Sequence, residues 1–139
     1  INFLKYFSIY YPINLVVMMG SEQYEKLYDA IMSLDPKIRF VTIIDYEGRP
    51  LFGGQKEGVT DYLSPSFQKD SLRHAMDAWK LRDKFSDFIG KGKYAMAEYE
   101  KLKRITFPLK DKKLIYLTAE LEVDHVTLIK NILKIIEKF

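Results

Sequence analysis

The spacing of hydrophobic residues changes several times along the chain, and each change predicts a different element of secondary structure. Ser21 can cap a helix over 24–34, where the apolar positions have helical spacing. Residues 38–46 then carry apolar side chains on both faces, which is typical of a central strand that is covered on both sides. Gly48 fits a tight turn into a return strand, and Gly53-Gly54 indicates a bulge or an early end of that strand.

The second predicted helix, 65–89, has an unusual pattern. Ser64 and Pro65 supply a cap and a proline at the first helical position. The helix then carries two apolar stripes on nearly opposite sides, one formed by Leu72, Ala75, Met76 and Trp79 and the other by Leu81, Phe85 and Phe88. Either the helix breaks near 80–82, or it buries two faces. A second face in a domain this small needs cover, which a homodimer could supply.

The last third of the chain predicts three more strands and a closing helix. Gly90 and Gly92 end the long helix, and 94–99 alternates as a strand. Further strands are expected at 103–109 and 114–121, and Asp124 caps the final helix. The order α-β-β-α-β-β-β-α indicates an α+β fold, an α/β sandwich with an antiparallel sheet of about five strands and helices on its faces.

Composition limits the classes of protein to be considered. The chain has 139 residues, of which 47% are hydrophobic and 29% are charged, as in a folded domain. We therefore expect a single domain over 20–139. The net charge of +3 gives little attraction to nucleic acid or to anionic membranes. The absence of cysteine excludes disulfides and thiolate chemistry, and a cytoplasmic location is the natural interpretation.

Residues 1–19 form an apolar leader that differs from the rest of the chain. This segment contains five aromatic residues and a single charge, Lys5. One interpretation is a gene start placed too early, with Met18 or Met19 as the true initiator. The others are an N-terminal strand or arm and, less favoured, a membrane anchor, because polar residues interrupt the apolar run.

The element order, the hairpin Asp45-Tyr46-Glu47-Gly48 and the long helix between two halves of the sheet together resemble the roadblock/dynein-light-chain superfamily. That superfamily is profilin-like and close to the PAS and GAF sensor folds. The stretch 92–101 is also similar to a small archaeal family. The resemblance implies a homodimer that forms through the central helix and an adjacent strand, and a role as scaffold or regulator for small GTPases or motors.

The favoured hypothesis is therefore a non-enzymatic, homodimeric interaction or scaffold module. Its partners would be a second copy of the chain and a small GTPase or another protein. The residues expected at the dimer or partner interface are large apolar side chains from both stripes of the helix and from the strand that follows it: Trp79, Phe85, Phe88, Tyr94 and Met96.

An alternative hypothesis is a sensor domain that binds a small molecule, as PAS and GAF domains do. The candidate pocket aromatics are Phe40, Phe52, Phe67, Trp79, Phe85 and Tyr116. Tyr46, Tyr62 and the loop 55–64 would form the mouth of such a pocket.

A third, weaker hypothesis is nucleic-acid binding through the basic segment 91–113, which has eight Lys or Arg residues against three acidic ones. Strand alternation would align Lys101 and Lys103 beside Tyr99, with Arg104 next to them, as a basic patch. Lysines on solvent-facing edge strands, where they discourage aggregation, explain the same charges.

No residues are expected to be catalytic, to bind a cofactor or to bind a metal. The stretch Gly90-Lys91-Gly92-Lys93 follows a helix, whereas phosphate loops precede one, so its glycines are expected to act as helix caps. His74 and His125 lack the partners that a metal site or a general base would need, and both are expected to be solvated surface residues.

Overall fold

A computed structural model describes residues 22–139, so the leader 1–19 and the predicted cap Ser21 lie outside the described residues. The elements follow in the order α1 (Glu22–Met32), β1 (Ile38–Ile44), β2 (Pro50–Gln55), α2 (Pro65–Asp83), α3 (Ser86–Ile89), β3 (Ala95–Glu98), β4 (Lys103–Leu109), β5 (Lys113–Ala119) and α4 (His125–Ile136). The predicted α+β order is confirmed. The predicted helix 65–89 divides into α2 and the short α3, with the break at Lys84 and Phe85, slightly later than 80–82.

The five strands form one antiparallel sheet in the order β2-β1-β5-β4-β3. Strand β2 continues through Gly53 and Gly54, so neither glycine ends it. The register instead shifts between Ile43 and Ile44, where β1 meets the start of β2 at Pro50. Strands β2 and β3 are the two edges of the sheet.

Helices cover both faces of the sheet and create two cores. Helices α1 and α4 pack on one face, where Leu27, Ile31, Phe107, Ile115 and Ile132 are buried. Helix α2 packs on the other face over Phe40, Leu72, Met76, Trp79 and Tyr116. Every residue of β1 is buried, which confirms the prediction of a central strand covered on both sides.

The turn between β1 and β2 is specified by Asp45 and Gly48. The Asp45 carboxylate accepts hydrogen bonds from the backbone N–H groups of Glu47 at 3.0 Å and Arg49 at 2.9 Å. Gly48 has a φ of +82°, and a Cβ added there would lie 2.7 Å from the Cα of Arg73 on α2. Glycine is therefore required both by the backbone conformation and by the close approach of the turn to α2.

Helix α4 begins at Asp124 as the sequence predicts. One carboxylate oxygen of Asp124 accepts from the Thr127 N–H at 3.2 Å, and the other accepts from the Thr127 hydroxyl at 2.7 Å. These hydrogen bonds to Thr127 favour the charged form and lower the pKa of Asp124 below its ordinary value. Within residues 22–139 no helix has the length and hydrophobicity needed to cross a bilayer.

Candidate functional site

Strand β3 is an open edge of the sheet, because within the described chain it pairs only with β4. An edge strand presents unpaired N–H and C=O groups that can bind another strand. Met96 lies opposite Ile105 and so shares the sheet face that α1 and α4 cover, whereas Ala95 lies opposite Thr106 on the α2 face. Tyr94 is near the ring of Phe107, at 6.4 Å between centroids, and therefore lies on the side of Met96.

Small residues lie where α2 approaches this edge. Ala95 and Ala97 of β3 face Ala75 and Ala78 of α2 across a shallow depression of about 90 Å³, whose wall also includes His74, Arg82 and Arg104. The alanine side chains leave room for another element to approach β3 closely. Among the described residues, β3 thus carries smaller side chains on its α2 side than on the side of α1 and α4.

Exposed apolar side chains also occur at the end of α2 and through α3, in the segment that leads into β3. Phe88 is 86% exposed and Ile89 is 84% exposed, and Leu81 and Phe85 are about half exposed. We call Leu81, Phe85, Phe88 and Ile89 the α2–α3 patch. Large apolar side chains that are clustered and exposed in this way mark interaction surfaces more often than isolated ones do.

Trp79 is not part of this exposed surface. Its side chain is only 4% exposed, and its indole N–H donates to the Thr106 hydroxyl at 2.8 Å. The ring also packs directly on Gly92, where an added Cβ would lie 2.5 Å from the indole Cζ3. Among the five residues predicted at the interface, Trp79 therefore has a core role within its own chain. The structure divides the other four between the α2–α3 side (Phe85, Phe88) and the opposite sheet face at the β3 edge (Tyr94, Met96).

A second feature, a cavity of about 790 Å³, lies at the other end of α2. It is open to solvent on one side and is bordered by the first half of α2, the start of β1, β5, the loop 56–64 and the β3–β4 turn. Its wall is mainly apolar, with five aromatic residues: Phe40, Tyr62, Phe67, Tyr99 and Tyr116. We call it the α2 cavity. Three of the six predicted pocket aromatics line the cavity: Phe40, Phe67 and Tyr116. Phe52 belongs to the core on the opposite face of the sheet. Trp79 lies further along α2, and Phe85 lies just after the end of α2.

Of the two tyrosines predicted at the mouth, Tyr62 lines the cavity and Tyr46 does not. The ring of Tyr62 lies 4.4 Å from the guanidinium carbon of Arg39. Tyr46 follows the far end of β1, where its ring contacts Lys80 at 4.2 Å. The length of a buried seven-residue strand separates Tyr46 from the cavity, so its assignment to the mouth is corrected.

Polar groups enter the α2 cavity at a few points. Arg104 donates to the Ser71 hydroxyl at 3.2 Å, and the Ser71 and Tyr116 hydroxyls are 2.7 Å apart. Arg39 is held by Glu120 and by the Thr60 carbonyl, both at 2.6 Å. The amide nitrogen of Gln68 is buried and has no hydrogen-bond partner. The charged residues in the wall balance, with Arg39, Lys101 and Arg104 against Asp61, Asp70 and Glu100.

The predicted basic patch is not one surface. Lys103 is only 6% exposed, and its ammonium donates to the Val123 carbonyl at 3.0 Å and lies 3.0 Å from Nδ1 of His125. Arg104 points to the other face of β4, since adjacent strand residues alternate. The alignment of Lys103 with Lys101 and Arg104 is therefore corrected. The contact with Lys103 also makes His125 part of a polar cluster, which the sequence pattern did not indicate.

His74 is on α2 and lines both the shallow depression and the α2 cavity. Among residues 22–139, no group of three or more His, Asp or Glu side chains is placed to hold a metal ion. Gly90 is the C-cap of α3, with a φ of +91°, and its N–H donates to the Ser86 carbonyl at 2.9 Å.

The fold defined by this sheet and these helices is that of roadblock/LC7 domains. The chain aligns with a roadblock/LC7 domain from Streptomyces avermitilis at a TM-score of 0.60 and 13% identity, covering 81% of this chain and 91% of that one. It aligns with the gliding protein MglB from Thermus thermophilus at a TM-score of 0.60 and 9% identity, covering 85% of this chain and 91% of that one. The alignment with MglB from Myxococcus xanthus has a TM-score of 0.57 and 10% identity, and it covers 84% of this chain and 92% of that one. The likeness is thus one of fold and not of closely related sequence.

By sequence, the chain belongs to a family of unknown function, DUF6659, whose profile matches residues 15–139. A comparison with curated proteins gave no significant match.

Proposed function

We propose that the protein is a non-enzymatic interaction module that forms a homodimer through the β3 edge and the α2–α3 patch. The observation that carries this proposal is the open edge of β3 together with the exposed side chains of Phe88 and Ile89 in the segment that leads into it. A monomer that left both features uncovered would expose strand hydrogen-bonding groups and a large apolar surface together.

A symmetric dimer explains the distribution of side chains at this edge. Pairing of β3 with the β3 of a second copy would join two five-stranded sheets into one. Tyr94 and Met96 would then meet their counterparts on one face of the joined sheet. On the other face, Ala95 and Ala97 leave room for the α2–α3 patch of the second copy to pack.

The roadblock fold supports a homotypic assembly of this kind, since one MglB of this fold has been described with a tetrameric arrangement. We further propose that the dimer is cytoplasmic and presents a surface to a second protein. A small GTPase is the partner class that the family resemblance favours. No enzymatic activity is proposed, because the sequence contains no recognised catalytic constellation.

The test is the solution mass of the full chain, measured by light scattering after size exclusion over a dilution series. A dimer should give twice the 16.4 kDa of one chain. Phe88→Asp should shift the equilibrium to monomer, with at least a tenfold weaker dimer, because it would bury a charge in an apolar contact. Circular dichroism should show that this variant is folded, since Phe88 is exposed in the single chain.

Val59→Asp is the matched control. Val59 is partly exposed in the loop that follows β2, the strand at the opposite edge of the sheet from β3, and its replacement should leave the mass unchanged. A wild-type chain that is monomeric at all concentrations would refute the proposal. Equal dimerisation of wild type and Phe88→Asp would show that any dimer uses another surface.

A further inference from the structure

We propose that the α2 cavity is a binding site for a neutral, planar aromatic molecule that carries a hydrogen-bond acceptor such as a carbonyl group. The cavity lies at the first half of α2, whereas the α2–α3 patch lies at its end, and only His74 and Arg104 line both the cavity and the shallow depression beside β3.

The size and lining of the cavity set the class of ligand. A volume of about 790 Å³ is in the range of small-molecule sites, which are mostly apolar with a few convergent polar groups. Rings of Phe40 and Tyr116 form part of the inner wall, and Tyr62, Phe67 and Tyr99 are half or more exposed at its rim. Aromatic walls favour a flat ring system, which can stack against them or meet their edges.

The amide nitrogen of Gln68, a hydrogen-bond donor without a partner, indicates that the ligand carries an acceptor. A buried donor without a partner costs free energy, which a ligand oxygen would recover. Gln68 is one of the α2 residues that line the cavity, so a rotation of its side chain would bring the amide donor to the carbonyl of a bound ring system. The hydrogen bond between the Ser71 and Tyr116 hydroxyls uses only one of their two protons, so the other proton could be donated to the same ligand acceptor.

The charge balance of the wall indicates a neutral ligand. Arg39 donates hydrogen bonds to Glu120 and to the Thr60 carbonyl, and Arg104 donates to Ser71 and lies 5.8 Å from the ring of Tyr116. Lys101 faces the ring of Tyr62 at 5.5 Å. Three acidic side chains in the same wall, Asp61, Asp70 and Glu100, offset the three basic ones, so a strongly charged ligand would gain little here.

The probe is prodan, a neutral naphthyl ketone dye whose emission shifts to the blue in apolar surroundings. Titration of the dye with the full chain should give saturable, blue-shifted emission with one site per chain. Gln68→Leu removes the donor at nearly constant size and should weaken binding about three- to tenfold. The control Gln23→Leu makes the same change on an exposed position of α1 and should leave the affinity unchanged.

A second pair of variants tests the location of the dye. Ser71→Phe fills the cavity and should abolish saturable binding, while Ser33→Phe adds the same ring on the opposite layer and should not. If Ser71→Phe does not fold by circular dichroism, Leu102→Trp fills the same cavity from the β3–β4 turn.

Unchanged dye affinity in a folded, cavity-filled variant would place the dye elsewhere and overturn the proposal. If the cavity-filling variant lost dye binding but Gln68→Leu did not weaken it, the role of Gln68 as the donor to the ligand carbonyl would be overturned. Phe88→Asp should bind the dye as wild type does, whichever oligomer it forms, so failure of the dimer proposal and of the cavity proposal are distinguishable.

Discussion

Replacing Trp79 separates a role in the core from a role between subunits. In the single chain its ring is 4% exposed and packs on Gly92, and its N–H is bonded to Thr106 at 2.8 Å. Truncation of a buried tryptophan to alanine costs about 3–5 kcal/mol, from lost burial and from the cavity left behind. Domains of this size are stable by about 5–15 kcal/mol, so Trp79→Ala should lose much of its stability.

Two milder variants divide this loss into packing and hydrogen bonding. Trp79→Phe keeps an aromatic ring and should cost about 1–3 kcal/mol, mostly for the space left by the smaller ring. Thr106→Val leaves the buried indole N–H without an acceptor and should also cost about 1–3 kcal/mol. The double variant should cost less than the sum of the two, because the single hydrogen bond can be lost only once.

The assay is urea unfolding followed by circular dichroism, since Trp79 is the only tryptophan and its fluorescence is lost in the variants. All variants should be made in a Phe88→Asp background, so that dimer dissociation does not contribute to the midpoint. If Trp79→Ala in this background had the unfolding midpoint of its parent, the ring would not be core. The assignment of Trp79 to the chain's own interior would then be refuted.

Two other predictions concern the turn before β2 and the start of α4. In thermal unfolding, Gly48→Ala should destabilise the fold more than Gly58→Ala. Both glycines have a positive φ, where an alanine costs about 1–2 kcal/mol of stability. Only at Gly48 would the new Cβ also collide with α2. Equal losses for the two variants would mean that the contact of the turn with Arg73 is not tight. Asp124→Ala should lower the unfolding temperature at neutral pH, because the native state lowers the pKa of this carboxyl and the stabilisation is present above the unfolded-state value near 3.8. As the pH falls through the lowered pKa, wild type and variant should converge, and a difference that persisted in acid would argue against the carboxylate as the source of the effect.

The fold was largely predictable because its elements carry strong, local signals. The continuous apolar run of β1, the Asp45 and Gly48 turn, and the capping residues Ser64 and Asp124 each specify one element and one boundary. For the long helix the sequence allowed either a break near 80–82 or a helix that buries two faces, since apolar residues on opposite sides cannot both face one sheet. The break itself falls at Lys84 and Phe85, and no proline or glycine marks it there.

The site was less predictable, because it depends on which face of the sheet each residue meets. Exposure could not be read from residue type: Trp79 and Phe88 belong to similar apolar stripes, yet one is buried and the other is 86% exposed. Lys103 is the opposite case. A lysine on a strand is expected to face solvent, but here its ammonium donates to the Val123 carbonyl inside the fold. Only the pairing of β4 with both β3 and β5 determines that Lys103 and Arg104 face opposite layers.

The same alternation of side chains makes the two sides of the β3 edge different. Within four residues, Tyr94 and Met96 point to one layer while Ala95 and Ala97 point to the other, so the edge has one bulky and one flat side. A strand meant to remain unpaired would more often carry charge or proline in its middle, and β3 carries its single charge, Glu98, only at its last position. The α2–α3 patch precedes this edge in the chain, and its exposed side chains are apolar. Within residues 22–139 neither the edge nor the patch is covered, and the dimer that we propose would cover both with the same surfaces of a second copy.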